Sequence, residues 1–417
     1  MVGKTIKIFF TGLKSYFDSG KYIFLFNLLE RLTFFAFYIS IARYVDKEIY
    51  GFIVTVFTFT NIIATIFDFG IPIYLHRESA TGRAGINFLF HGVVIKILFS
   101  IILLPIPFIY FINDHYYFEI ILLVTLINYF SPINQILIFY LNGKYKFKEN
   151  FLSILISRVP YFIFLLVATI NKIDVKLSLI SIFTSLIFQN VLLFKFSLIR
   201  IADLINLKFK FGYLFDLIRN SAAFGLSVLF VMIYDRLGTL FLQQYFGYEA
   251  VAIYSAAYAL YKHTSIVFGI ILVRSYNIFS INFARDGKIL YKDVFLTIKL
   301  LFILLVSLIS LFTIGGDFII NTFYSSRFKD SVSILKIFAI GLPFLFLSNL
   351  TGTLLNSTRN ERYTALSTLL GLIVNIITNI IFIPKFGIIG AVSSNIITEA
   401  FVLLFEFLFI KKLIRFE

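Results

Sequence analysis

The sequence predicts an all-α polytopic membrane protein of twelve transmembrane helices, arranged as two six-helix lobes related by a pseudo-two-fold axis. Three observations predict it. First, 59% of the 417 residues are hydrophobic and only 14% are charged, whereas soluble domains carry about 25% charged residues; mean hydropathy is +0.93. Second, apolar runs of about 20 residues, the length of helix that crosses the hydrocarbon core, recur along the whole chain. Third, the basic residues alternate between rich and poor loops. With the N-terminus inside, 23 of the 37 Lys and Arg fall in the cytoplasmic segments, and only Arg43, Lys47, Lys172, Lys176, Arg327, Lys329 and Lys385 fall opposite. That asymmetry follows the positive-inside rule with both termini cytoplasmic.

The opening stretch, MVGKTIKIFFTGLKSYFDSGKYIF, is basic and apolar and has no small-residue cleavage site. It reads as a retained, partly interfacial helix leading into the first span. Spans are expected near 22–42, 50–70, 85–112, 117–141, 150–170 and 177–197. A second set is expected near 220–244, 250–273, 294–314, 331–355, 363–383 and 388–410. The basic stretch 198–219 is the longest gap between spans. It divides the chain into an N-terminal lobe (1–197), a cytoplasmic linker (198–219) and a C-terminal lobe (220–417). A weak repeat supports two halves: Glu30-Arg31-Leu32 in the first span matches Asp235-Arg236-Leu237 in the seventh, and a Tyr in a small-residue context follows each, at Tyr50-Gly51 and Tyr254-Ser255. Two such halves leave a cavity between them.

Several function classes are excluded. Cysteine is absent, which removes disulfides, thiolate metal sites and thiol catalysis. His76, His91, His115 and His263 are scattered, with no pair at metal-ligand spacing. Gly20-Lys21 is not a phosphate-binding loop, because Ser15 stands where a glycine is needed and Tyr22 follows the lysine. No loop exceeds roughly 20 residues, so no soluble catalytic domain is housed and the protein is not expected to be an enzyme. No cofactor is implied. The net charge of +15 is accounted for by the cytoplasmic loops, so no nucleic-acid partner is expected either.

The informative residues are the charges buried in spans. Segment 222–262 is apolar enough to cross a bilayer, yet Asp235 and Arg236 sit side by side near its middle. An Arg or Asp at the membrane centre costs roughly 2.5–3.5 kcal/mol, and each large apolar residue returns about 0.3–0.6. Such a pair therefore faces protein or water, not lipid. Lys299 and Lys336 lie near span starts and reach the interface by snorkelling. Arg31, Lys96, Arg158, Arg236 and Lys262 lie deeper. Arginine keeps its charge and presents a fork that fits phosphate oxygens; the competing reading is buried ion pairs that fix helix register. Glu30 and Asp235 neighbour two of these arginines, and Glu399 is a mid-span carboxylate that must be paired or protonated.

Polar stripes mark further faces. Asn128, Ser131 and Gln135 line one side of the fourth span around Pro132, and Thr364, Thr368, Asn375 and Asn379 line the eleventh. The twelfth carries Asn395, Glu399 and Glu406, the last nearer the cytoplasmic end. Within membranes Asn and Ser most often join helices. In the eighth span Tyr254, Tyr258 and Tyr261 recur at i, i+4, i+7, with Lys262 adjacent. A tyrosine ladder beside a cation suits a glycan-bearing anion, and it equally suits ordinary packing. The prolines fall in or at the edges of spans, where they kink helices.

Four stretches carry a resemblance: ARYVDKEIYG (42–51), FDFG (67–70), DRLGTLFLQQYFGYEAVAIYSAAYAL (235–260) and NIITNIIFIPKFGIIGA (375–391). Together they resemble the polysaccharide transporters of the multidrug/oligosaccharidyl-lipid/polysaccharide (MOP) exporter superfamily, specifically Wzx-type O-antigen or capsule-unit flippases. Val45-Asp46 departs from the usual Leu-Gly, and Ala252 stands where Gly is usual; both positions concern turns and packing. The resemblance implies twelve helices in two lobes, a central cationic cavity and alternating access in the bacterial cytoplasmic (inner) membrane. It implies an undecaprenyl-diphosphate-linked oligosaccharide of lipopolysaccharide or capsule biosynthesis as cargo, with membrane lipids and other glycan-assembly membrane proteins as partners.

On that reading Arg31, Arg158 and Arg236, helped by Lys96 and Lys262, hold the diphosphate and acidic sugars. Tyr254, Tyr258 and Tyr261 meet the sugars, and Glu30, Asp235 and Glu399 balance charge or bind a coupling proton or sodium ion. Three other readings stay open. They are a small-molecule or multidrug exporter of the same fold, a lipid-linked peptidoglycan-precursor flippase, and a scaffold that tolerates loss of the central charges.

Overall fold

The computed structural model describes residues 2–80, 82, 85–172, 174–197, 210–410 and 414–415. Arg83, Lys411 and Lys412, and most of the expected linker with Arg200 and Lys208, lie outside the described residues. The chain runs through α1 (Val2–Ala42), α2 (Lys47–Ile66), α3 (Ile71–Ala80), α4 (Ile86–Leu103), α5 (Pro105–Tyr110), α6 (Phe118–Gly143), α7 (Phe147–Asn171) and α8 (Val175–Ser197). It continues through α9 (Phe211–Asp286), α10 (Tyr291–Ile314), α11 (Gly316–Phe323), α12 (Asp330–Ser357) and α13 (Glu361–Ile410). Helices dominate because a chain in hydrocarbon has to satisfy every backbone N–H and C=O within its own segment. Extended structure among the described residues is confined to a parallel pair of two-residue strands, β1 (Ile289–Leu290) and β2 (Ile414–Arg415).

Two of the helices are broken by glycine. In α9 Gly247 has φ 78° and ψ −175°, and in α13 Gly387 has φ 57° and ψ −130°. A Cβ is strained in such conformations, so glycine is what lets the chain reverse there. The breaks coincide with the expected boundaries between the seventh and eighth and between the eleventh and twelfth spans. Among the described residues nine helices are long and apolar enough to cross a membrane, or up to ten with the bent pair Val228–Gly269 and Ile271–Asp286. The all-α membrane class therefore stands, and the twelve expected spans are compatible with it. Gly247→Ala is expected to cost about 1–3 kcal/mol through backbone strain. The check is the thermal unfolding midpoint in detergent, which should fall; an unchanged midpoint contradicts the assignment.

The second span ends sooner than the hydrophobic pattern suggests. Helix α2 stops at Ile66, and Phe69 (φ 51°) and Gly70 (φ 68°) turn the chain into α3, a short helix where a loop was expected. Pro72 sits in the first turn of α3, where its missing N–H costs nothing. The FDFG stretch is thus a turn rather than the end of a membrane helix.

The described residues form two compact units. One holds residues 1–44 and 59–225, the other 45–58 and 226–417. In the first, α1 packs on α7, α6 on α8 and α3, and α7 on α8. Its core includes Phe26, Tyr74, Leu89, Ile136, Leu141 and Leu193. In the second, α12 packs on α13 and on α10. Phe268 and Phe346 pack with tilted rings, 4.2 Å between centroids. Helix α10 leaves Phe295, Leu296, Phe302 and Ile303 exposed, an apolar face suited to acyl chains.

Candidate functional site

In the second unit the deep charges converge. Asp235 lies before the Gly247 break of α9, Lys262 beyond it, and Glu399 beyond the Gly387 break of α13. The Lys262 Nζ is 2.6 Å from Asp235 Oδ1 and 3.2 Å from Glu399 Oε1. The Ser348 hydroxyl of α12 donates to Glu399 Oε2 at 2.8 Å. Glu399 is buried, with its side chain 4% exposed; Lys262 and Asp235 are each 21% exposed. One ammonium thus holds two carboxylates from two other helical segments, which is how charges persist at membrane depth. The Lys262 ammonium also lies 5.9 Å from the Tyr258 ring centroid, at the outer limit of a cation–π contact.

Arg236, the next residue to Asp235, behaves differently. It is half-buried, and among the described residues it makes no hydrogen bond or ion pair. Its charge acts on Tyr254 and Tyr258. Asp235 is drawn to Lys262, so the adjacent acid does not neutralise Arg236 by direct contact. A guanidinium with its donors uncommitted is suited to an anion.

The tyrosine ladder is placed in the core. Tyr254, Tyr258 and Tyr261 are 1%, 7% and 0% exposed, and all three pack around Phe338 of α12, at 5.8, 5.7 and 4.6 Å between centroids. Tyr254 and Tyr258 also stack on each other at 5.3 Å. Their ring faces are occupied, so stacking on sugar requires this packing to open.

Beside the ladder runs an amide network. Asn379 donates to Asn375 Oδ1 at 2.7 Å, and Asn375 donates to Thr398 Oγ1 at 3.0 Å. The Oδ1 atoms of Asn379 and Asn395 and the hydroxyl of Ser394 are buried without a hydrogen-bond partner among the described residues. These are hard oxygen donors of the kind that hold alkali and alkaline-earth cations. No group of three or more His, Cys, Asp or Glu that could hold a metal occurs among the described residues.

In the first unit Arg158 and Lys96 are committed to internal partners. Arg158 of α7 is buried and donates from Nη1 to Ser185 Oγ at 2.6 Å and from Nη2 to Gln189 Oε1 at 2.9 Å, both on α8. Ser185 in turn donates to the Ser157 carbonyl at 2.7 Å. Glu30 is half-buried and within electrostatic reach of Arg158 and Arg31. Arg31 itself is exposed. Lys96 is 4% exposed and ion-paired to the Asp68 carboxylate, and it also donates to the Phe67 and Asp68 carbonyls at 3.3 and 3.1 Å. It therefore satisfies the backbone freed where α2 ends. An ideal Cβ on Gly225 would lie 2.6 Å from Gly70 N, so the start of α9 closes over the same turn.

Apart from Glu30, the expected charged site residues thus fall into three kinds. Asp235, Lys262 and Glu399 form one cluster. Lys96 and Arg158 are buried braces. Arg236 is half-buried without a hydrogen bond or ion pair among the described residues, and Arg31 is exposed. Ser185, Gln189 and Ser348 escaped sequence reasoning, and Asp68 was read only as an acid of the FDFG stretch near a span end. Ser178, Ser185 and Gln189 at i, i+7, i+11 are a buried polar stripe on α8, a signal that was there to be read.

The sequence matches the family described as "Polysaccharide biosynthesis protein" over residues 17–277. It is 27% identical over 99 residues to the uncharacterized membrane protein MJ1068 of Methanocaldococcus jannaschii. The match takes in 24% of this chain and spans a fifth (20%) of that relative's length. Among solved structures, an inward-facing multidrug resistance MATE family transporter of the MOP superfamily aligns with TM-score 0.73 at 13% identity, over 92% of this chain and 94% of that one. The lipid II flippase MurJ in an inward closed conformation aligns with TM-score 0.65 at 18% identity, over 94% of this chain and 88% of that one. A MOP superfamily transporter from Pyrococcus furiosus, described as having a binding pocket of reverse polarity, aligns with TM-score 0.64 at 12% identity over 94% of each chain. At these identities the likeness establishes the fold.

Proposed function

The chain belongs to the polysaccharide biosynthesis protein family, and from that membership we propose that it is a flippase for an undecaprenyl-diphosphate-linked oligosaccharide, an O-antigen or capsule repeat unit. It moves this cargo from the cytoplasmic to the outer leaflet of the bacterial inner membrane by ion-coupled alternating access. The observation that carries the reading is Arg236. It is a half-buried guanidinium at mid-span with its donors uncommitted among the described residues, in a chain of a family concerned with polysaccharides.

Carrying a diphosphate and hydroxyl-rich sugars across hydrocarbon requires replacement of lost hydration, which otherwise costs several kcal/mol for each polar group. Arg236 supplies charge-assisted hydrogen bonds to phosphate oxygens. Lys262 joins it when it is released from Asp235 or Glu399. Lys96 and Arg158 brace the turn after α2 and the α7–α8 pair of the first unit. The polyprenyl tail stays in lipid throughout. Glu30, Asp235 and Glu399 keep the site near neutrality and are the acids on which a coupling proton or sodium ion is placed. The MurJ alignment supports a lipid-linked glycan as the cargo class, since that relative is described as a lipid II flippase.

The test is reconstitution in vesicles that carry a fluorescent undecaprenyl-diphosphate oligosaccharide in one leaflet. Protein-dependent exchange between leaflets is the expected result. Uptake of cationic dyes without lipid exchange would establish the exporter reading instead. Exchange of lipid II in preference to the oligosaccharide would establish a peptidoglycan-precursor flippase.

A further inference from the structure

Glu406 sits in the last helical segment of α13, two turns beyond Glu399, and is buried at 1% exposure. Unlike Glu399 it has no Lys, Arg or His within ion-pair distance among the described residues. Its partners are hydroxyls: Thr351 of α12 donates to Oε2, and Ser367 of α13 donates to Oε1 at 2.9 Å. The bare Cα of Gly352 faces both oxygens, since an ideal Cβ there would lie 3.8 Å from each. Thr364, beside Gly352, carries a buried hydroxyl with no hydrogen-bond partner among the described residues. Among the described residues the charged group that acts on Glu406 is Glu399, which is also acidic.

Each hydroxyl has one proton and two acceptors in reach. Thr351 Oγ1 also lies 2.9 Å from the Ser348 carbonyl, and Ser367 Oγ lies 2.8 Å from the Thr364 carbonyl. With Glu406 ionised, both hydroxyl protons point at the carboxylate. With Glu406 protonated, its O–H donates to one hydroxyl oxygen, and that hydroxyl turns its own proton to the carbonyl three residues back. A hydroxyl can do both, because it has one donor and two acceptor lone pairs. Both states are fully hydrogen-bonded and differ by two bond rotations, with no heavy atom displaced. Glu399 is instead held by the Lys262 ammonium.

We propose that Glu406 is a proton-binding site: one proton from water adds to the carboxylate to give a neutral acid, and its release restores the charge. On the flippase reading above, on which this role rests, Glu406 is a proton site of the transport cycle distinct from the Asp235–Lys262–Glu399 cluster. A carboxylate without a cation in hydrocarbon surroundings is costly, so gain and loss of the proton bias the packing of α12 against α13.

The experiment is difference infrared spectroscopy of the whole protein in nanodiscs across a pH titration, following the carbonyl band of protonated carboxyl groups. A component of that band that grows on acidification is expected in wild type, missing in Glu406→Gln and retained in Glu399→Gln. The same band in wild type and Glu406→Gln would overturn the proposal. Should Glu406→Gln fail to fold, Thr351→Val serves: removing a donor to the charged form moves the band midpoint up by about one pH unit, and an unmoved midpoint overturns it equally. In vesicles, Glu406→Gln should still exchange the fluorescent lipid-linked oligosaccharide but lose its dependence on an imposed pH gradient. If wild type exchanges no such lipid, the flippase reading falls, while the infrared band still decides the site.

Discussion

Arg236→Ala is expected to lower protein-dependent exchange of the lipid-linked oligosaccharide by about 10- to 100-fold. The magnitude follows from the loss of charge-assisted hydrogen bonds, worth about 1.5–3 kcal/mol, at tenfold for each 1.4 kcal/mol. Stability should change little, because Arg236 holds no partner among the described residues that its removal would strand. Arg236→Lys keeps the charge but loses the planar fork, so its activity should fall between wild type and alanine. The measurement is initial exchange rate in vesicles at matched protein content, with the unfolding midpoint recorded alongside. Full exchange by a well-folded alanine variant would remove Arg236 from the phosphate site.

Lys262→Met should have the opposite signature. It leaves Asp235 and Glu399 facing each other without the ammonium now 2.6 and 3.2 Å away. Breaking a buried ion pair by removing one partner costs about 3–5 kcal/mol. The variant should unfold at a markedly lower temperature in detergent or accumulate poorly in membranes. Adding Glu399→Gln removes one of the stranded charges and should recover part of that loss, since the remaining Asp235 has Arg236 as its sequence neighbour. Additive losses in the double variant would show that the three charges do not act as a unit.

These two lysine and arginine positions show what a sequence can and cannot tell. Both are basic residues in the middle of apolar segments, and sequence cost arguments treat them alike. One is tied to two acids by contacts that span 27 and 137 positions of chain; the other is left with its donors uncommitted. Lys96 and Arg158 repeat the lesson. Lys96 answers to a turn 28 residues away, and Arg158 to Ser185 and Gln189 on the next helix. The tyrosine ladder was visible as a spacing, but Phe338, which covers it, lies some 80 residues further along the chain.

By itself the sequence determined the helical membrane class, most helix limits and which residues carry charge at depth. Bilayer thickness and backbone hydrogen bonding leave few ways to satisfy twenty apolar residues, and Gly247 and Gly387 mark reversals that any reader can place. Tertiary structure alone decided where α2 stops, which cations are spent on internal partners, and that Glu406 meets two hydroxyls and, among the described residues, no cation. Those outcomes depend on which side chains from distant segments come within 3 Å of one another, and the one-dimensional pattern of polarity carries no record of that distance.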